Sequence, residues 1–191
     1  MALHLVQSNA LFLEVPKTGT SWVRRALREM GVAYDVAKPT AGVTVRHGTP
    51  QHFERHYSHR FCTVRDPLAW AKSWFRFQTQ KSWPCYEPDL WHPQRAIEDC
   101  QASTFEEFLH LLCRRHPGYV SRMMSSYTEG CDIVMEQETL RADLADALER
   151  FGYGRRLAST PLQNVSDHTD TTCSQQMINR FWEVERTSAS C

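Results

Sequence analysis

The sequence predicts an α/β layered domain with a mostly parallel central sheet flanked by helices. Short apolar runs alternate along it with amphipathic stretches of helical spacing. One of these runs, Leu11-Phe12-Leu13, passes through a tight loop directly into a helix. Another, Phe61-Cys62-Thr63-Val64, ends in Arg65-Asp66-Pro67, where Asp66 can cap the next helix and Pro67 can open it. A length of 191 residues fits one domain, 1–191, with a sizeable core.

Taken in order, the first element is the strand ending at Leu13, followed by Glu14-Val15-Pro16-Lys17-Thr18-Gly19-Thr20-Ser21-Trp22. Pro16 and Gly19 punctuate the loop, and Lys17, Thr18, Thr20 and Ser21 bring a cation, hydroxyls and backbone N–H groups into it. The helix from Ser21 to Met30 follows, with Val23, Leu27 and Met30 at helical spacing and Gly31 as its stop. The first N–H groups of a helix have no intrahelical partner and carry partial positive charge, so the geometry suits phosphate or sulfate. An ordinary capped turn would also fit, and the anion site is only slightly the better reading. It is not the Walker pattern, because the lysine precedes the glycine and no G-K-[ST] follows.

Residues 32–36 read as a second strand and 43–45 as a third. Thr49 and Pro50 start a short helix running to about Tyr57. After the strand 61–64 comes a helix from Leu68 to Gln78, with Leu68, Ala71, Trp74, Phe75 and Gln78 on one broad face. The segment 81–101 breaks the alternation, with three prolines and Trp83, Tyr86 and Trp91 in no clear period. It is read as a lid or substrate loop, or equally as a packed surface excursion. Ser103-Thr104-Phe105-Glu106-Glu107 then supplies an N-cap and capping box for a helix that ends at Pro117-Gly118. A helix over 119–127, a strand at 133–135, a helix carrying Leu140, Leu144, Leu148 and Phe151, and a last helix near 174–184 complete the chain.

Composition narrows the function. Lys plus Arg and Asp plus Glu are both 22, so zero net charge offers no argument for nucleic acid or an anionic membrane, and any electrostatic site is local. The longest apolar runs are strand-sized, so no membrane span is expected. The N-terminus lacks the basic start and apolar core of a secretory signal. Seven cysteines without C-x-x-C spacing point to reduced thiols, hence to a soluble, cytoplasmic protein. Nothing in the sequence specifies an oligomeric state.

Open α/β sheets bind ligands beyond the carboxyl ends of their strands. Lys17, His47 and Arg65 each follow a predicted strand, and Ser73 lies eight residues beyond Arg65, about two helical turns. A guanidinium and a helix hydroxyl can grip a second phosphate. Two anion sites and one histidine suggest a ligand phosphorylated at both ends and a proton to remove.

These motifs carry a resemblance to the sulfotransferases. Pro16-Lys17-Thr18-Gly19-Thr20-Ser21-Trp22 resembles the family's 5′-phosphosulfate loop. Arg65-Asp66-Pro67 with Ser73 is similar to its 3′-phosphate strand and helix, and Val45-Arg46-His47-Gly48-Thr49-Pro50 to the stretch holding the catalytic base of cytosolic members. Residues 133–152 resemble the late strand and helix, and 161–185, with Asn164-Val165-Ser166, the tail of bacterial and carbohydrate-type members.

The resemblance implies a three-layer, P-loop-like α/β domain. It implies sulfuryl transfer from 3′-phosphoadenosine 5′-phosphosulfate (PAPS) to a hydroxyl or amine of a small-molecule or glycan acceptor, leaving 3′-phosphoadenosine 5′-phosphate (PAP). Lys17 would bind the 5′-phosphate and sulfonate oxygens, and the N–H groups of Thr18, Gly19, Thr20 and Ser21 would cradle the phosphate. Trp22 would stack near the adenine, Arg65 and Ser73 would hold the 3′-phosphate, and His47 would take the acceptor proton. The Arg-Lys-Gly of cytosolic members is unmatched, with Gly154-Arg155-Arg156 in a different order, and the shorter chain implies a reduced substrate cap. A module that binds PAP or PAPS without turnover is the alternative, and a divergent P-loop kinase a weaker one.

Two other groupings have plainer readings. On a helix His52, His56 and His59 would share one face at zinc-compatible spacing, but Arg55 and Arg60 beside them favour a solvated polar face. Glu136 and Glu138 read as caps and dipole partners at a strand-to-helix turn. No metal is assigned.

Overall fold

The computed structural model describes residues 2–40, 47–53, 55–80, 93–155, 158–161 and 170–188. They group into two compact units, one formed by residues 1–65 and 126–164 and the other by 66–125 and 165–191.

The first unit holds a five-stranded sheet. Strand β1 (Ala2–Leu5) runs into β2 (Ala10–Leu13) through four residues, too few for a crossover, so the two pair antiparallel with Leu3 opposite Phe12. Asn9 closes the hairpin with φ 49°, a left-handed conformation that asparagine tolerates. Its side chain bonds His4 Nε2 at 3.1 Å, and its Nδ2 donates to the His56 carbonyl at 3.3 Å. β3 (Tyr34–Ala37) lies antiparallel to the outer side of β1, while β4 (His59–Val64) and β5 (Ile133–Glu136) extend the sheet parallel to β2. The order is β3-β1-β2-β4-β5.

The sheet is therefore mixed, which corrects the expectation of a mostly parallel one. β1 is the cause. Its four residues, Ala-Leu-His-Leu, insert between β2 and β3 and pair antiparallel with both. The parallel part, β2-β4-β5, holds the strand ends that lead to Lys17 and Arg65.

Helices α1 (Thr20–Glu29) and α5 (Leu140–Arg150) cover one sheet face. Trp22, Val23, Ala26 and Leu27 from α1 meet Leu144, Ala147 and Leu148 from α5 over Leu3, Leu5, Phe12, Phe61 and Met135 of the strands. The opposite face, with Leu11, Leu13 and Cys62, is buried as well. Burial on both faces explains why β2 reads as an unbroken apolar run rather than an alternating one.

The expected helix from Thr49 to about Tyr57 is a single 3-10 turn, Pro50–His52. His52 Nδ1 accepts from the Thr49 N–H at 3.0 Å, closing the turn, and Phe53 leaves it extended to enter the core. His59 stacks on Phe151 from within β4. The three histidines do not share a helix face. The expected strand at 43–45 lies outside the described residues, as does 81–92 of the expected lid loop.

The second unit is helical. Helix α2 (Pro67–Gln80) starts as predicted, with Asp66 Oδ1 accepting from the Ala69 N–H at 2.8 Å. Trp70 and Trp74 stack along it, and Phe75 meets Phe105 and Phe108 of α3 (Phe105–Arg115). Thr104 Oγ1 accepts from the Glu107 N–H at 3.2 Å, and the Glu107 carboxylate accepts from the Ser103 N–H at 3.1 Å. The capping box is thus shared across two residues. Helix α4 (Tyr119–Thr128), of which residues 119–125 belong to this unit, and α6 (Gln175–Ser188) follow. Buried Glu185 of α6 accepts from the N–H groups of Val120 and Ser121, satisfying the positive end of α4.

Within the first unit, a strap at 158–160 is fastened to α1 and α5. Arg141 donates to the carbonyls of Ala158 and Thr160 at 2.7 and 2.9 Å, and the exposed Glu29 carboxylate accepts from the hydroxyls and N–H groups of Ser159 and Thr160. The Ser159 hydroxyl is the first cause, then Thr160, by which the Glu29 carboxyl falls from 4.5 to about 2. A depressed carboxyl stabilises the fold above its unfolded value and loses that contribution as pH falls through the folded one. The difference in Tm between the native chain and Glu29→Gln should be widest above pH 4.5 and close as pH approaches 2, read by circular dichroism melts.

Candidate functional site

The loop from Glu14 to Gly19 joins β2 to α1. Lys17 and Gly19 both have positive φ, 65° and 93°. A lysine in this region is uncommon, and the strain persists only where neighbours over-determine the backbone. Gly19 is the N-cap, and its carbonyl accepts from the Trp22 and Val23 N–H groups at 2.9 and 3.2 Å. A side chain there would be strained, and its Cβ would stand 2.8 Å from Leu140 Cδ2. Glycine thus lets α1 start close against α5.

Two separate stretches of chain, 63–65 and His47, fasten this loop. Thr18, fully buried, donates its hydroxyl to the Val15 carbonyl at 2.8 Å and lies 2.5 Å from Thr63 Oγ1. Since the Thr18 proton goes to the carbonyl, Thr63 is the donor in the second contact. Two residues beyond Thr63, Arg65 donates from Nη1 to the Lys17 carbonyl at 3.3 Å. On the other side, His47 Nδ1 is 2.7 Å from the Glu14 carbonyl. A carbonyl only accepts, so Nδ1 holds a proton, and in the neutral ring Nε2 is the basic nitrogen. The backbone of His47 is pinned as well, because the buried Tyr127 hydroxyl donates to its carbonyl at 2.8 Å.

Glu14 itself is buried and forms a bidentate pair with Arg24, 2.5 Å to Nε and 2.6 Å to Nη2. The hydrogen bond to Glu14, opposed by burial, raises the Arg24 pKa further. The pair clamps the start of the loop to the first turns of α1.

Lys17, His47 and Arg65 thus meet at one loop, although up to 48 residues separate them in the chain. Thr18 faces the interior through its side chain. Thr20 is half-buried and Ser21 exposed at the start of α1. Trp22 is 4% exposed within the core cluster, and its Nε1 donates to the Thr160 carbonyl at 3.0 Å. It anchors the strap at 158–160. Ser73 is half-buried in α2 and belongs to the second unit. Arg155 pairs with Asp146 and Glu149 at the end of α5. Asp143, rather than Glu136 or Glu138, ties down the turn into α5 by accepting from the Glu136 N–H and the Thr139 hydroxyl.

Sequence reasoning passed over Glu14, Thr63 and Tyr127. Glu14 had a usable signal, a carboxylate directly after a buried strand, whereas Thr63 and Tyr127 matter only through partners distant in the chain.

Comparison with known proteins found no matching family model, curated protein or solved structure.

The buried hydroxyl pair is testable. In a Thr18→Val, Thr63→Val double-mutant cycle followed by urea unfolding, each single change should cost about 1–2 kcal/mol. The coupling between them should be about 0.5–1.5 kcal/mol; additive effects would mean that the two hydroxyls do not support each other.

Proposed function

We propose that the chain is a sulfotransferase that moves a sulfuryl group from PAPS to a hydroxyl or amine acceptor. The observation that carries this reading is the convergence of Lys17, His47 and Arg65 on the loop at the start of α1. A tetrahedral anion at that helix start would meet the N–H groups of Gly19, Thr20 and Ser21 and the positive end of α1. The architecture this reading requires is a three-layer, P-loop-like domain, and the mixed α/β sheet of the first unit is its coarser counterpart.

The chemistry follows from the residues. His47 Nε2 takes the proton of the acceptor as the acceptor oxygen or nitrogen forms its bond to sulfur. The bond between sulfur and the bridging phosphate oxygen breaks in line, and the electron pair leaves on that oxygen as PAP departs. Lys17 balances the charge that grows there, and Arg65 with Ser73 holds the 3′-phosphate of the donor. Positioning and electrostatic stabilisation provide most of the acceleration, with general-base help from the histidine. The hydrogen bond to the Glu14 carbonyl serves this role by holding the imidazole in the tautomer with Nε2 unprotonated.

Two measurements test the proposal. In a thermal-shift assay, PAP at about 100 times its Kd should stabilise the fold by about 2.7 kcal/mol, while ATP with Mg²⁺ should have little effect. Incubation with labelled PAPS and a panel of hydroxyl and amine acceptors should then give transfer. Lys17→Ala should lower kcat about 10²–10³-fold and His47→Ala about 10²–10⁴-fold. The tether from Tyr127 to the His47 backbone survives the histidine change, so the variant should fold. Stabilisation by PAP without transfer to any acceptor would leave a nucleotide-binding module, and stabilisation by Mg-ATP alone would support a kinase.

A further inference from the structure

The second unit contains a cluster of ligand-type side chains that plays no part in the proposed transfer. The 3-10 segment Pro93–Cys100 ends on Asp99 and Cys100, and His116 is the C-cap of α3. His116 Nε2 lies 2.7 Å from Asp99 Oδ1, and Cys100 Sγ lies 3.6 Å from the same oxygen. All three atoms are within 4.8 Å of one another, and no other such group of three occurs among the described residues.

The supports of the cluster are firm. Phe105, Phe108, Leu109 and Leu112 bury α3, and the His116 N–H donates to the Leu112 carbonyl at 2.9 Å. The His116 ring meets Tyr119 edge-on at 6.4 Å. Arg115 donates to the Asp99 carbonyl, and its Nη1 is 3.6 Å from Asp99 Oδ2. Cys100 is fully buried, His116 is half-buried and Asp99 is exposed, so the group is closed behind and open in front.

Two simpler explanations leave something over. An ion-pair latch between Asp99 and the His116 and Arg115 side chains accounts for both bases, yet not for a buried thiol directed at a carboxylate. A nucleophilic cysteine would need the imidazole between thiol and carboxylate, whereas here the carboxylate lies between the other two.

We infer that Asp99 Oδ1, Cys100 Sγ and His116 Nε2 form a three-ligand site for a divalent ion of the zinc class, with the fourth position open to water. Thiolate with imidazole selects zinc over calcium or magnesium, and three protein ligands leave one tetrahedral position unfilled. Metal–ligand bonds of about 2.0–2.3 Å set ligand atoms about 3.3–3.6 Å apart. The Sγ to Oδ1 distance already fits, and the Nε2 to Oδ1 distance needs to open only slightly as their shared proton leaves. The ion also displaces the thiol proton, and one thiolate with one carboxylate balances its two positive charges. Along the sequence, Asp99, Cys100 and His116 show no ligand spacing; only the return of α3 brings them together.

The test uses the full chain under reducing conditions. Co²⁺ is titrated while thiolate-to-cobalt charge-transfer absorption is followed, and Zn²⁺ is then added in competition. One equivalent of Co²⁺ should develop the band and Zn²⁺ should abolish it. Cys100→Ser should remove the band, and Cys131→Ser, a thiol outside the cluster, should leave it unchanged. His116→Gln, a partly exposed position that should fold even if Cys100→Ser does not, should weaken Zn²⁺ binding by more than the roughly 10–100-fold that losing an outer-shell partner costs. No band in the native chain, a band that survives Cys100→Ser, or equal Zn²⁺ affinity in His116→Gln would each overturn the site and leave the ion-pair latch.

Discussion

Between Leu13 and Thr20 the chain must change from a parallel strand to a helix, and it does so with two left-handed residues, Lys17 and Gly19. Such a backbone is not self-supporting. It is held because the carbonyls of Glu14 and Lys17 each receive a cationic or imidazole side chain and because Thr18 is locked to Thr63 beneath the loop. The same contacts that stabilise the turn bring Lys17, His47 and Arg65 into one neighbourhood. Structural support and candidate chemistry draw on the same side chains here, since His47 gives its Nδ1–H and Arg65 one Nη1 donor to the loop backbone.

The clamp extends outward through α1. Glu14 holds Arg24 at the N-terminal half of the helix, and Glu29 at the other end holds the strap at 158–160. Trp22 joins the two through its indole N–H on the Thr160 carbonyl. The aromatic ring is therefore committed to the core. Its burial also explains why a tryptophan directly after the loop is compatible with a tightly packed first turn: Val23, Ala26 and Leu27 continue the same buried stripe.

The second unit relies on a different balance. Its aromatic side chains, Trp70, Trp74, Phe75, Phe105 and Phe108, supply the apolar burial. Its polar groups are placed at helix ends. Asp66, Thr104 and Glu185 each satisfy N–H groups that α2, α3 and α4 leave unpaired. The chain end of α3 turns back on the 3-10 segment, and the resulting cluster of Asp99, Cys100 and His116 is the most chemically distinctive feature of this unit.

Only local features were legible from the chain alone. The starts of α2 and α3 could be read from Asp66-Pro67 and Ser103-Thr104, because caps act over three or four residues. The strand–loop–helix at Lys17, β4 and the helices α4 and α5 were legible for the same reason, from unbroken apolar runs and helical spacing. Packing between distant segments set the direction of β1, the shortening of the turn after Thr49, the burial of Trp22, and the meetings of His47 with Glu14 and of Asp99 with His116. Each of these depends on which distant segment lies alongside, and a strand of four residues or a single side chain records no preference for a partner far along the chain until packing chooses one.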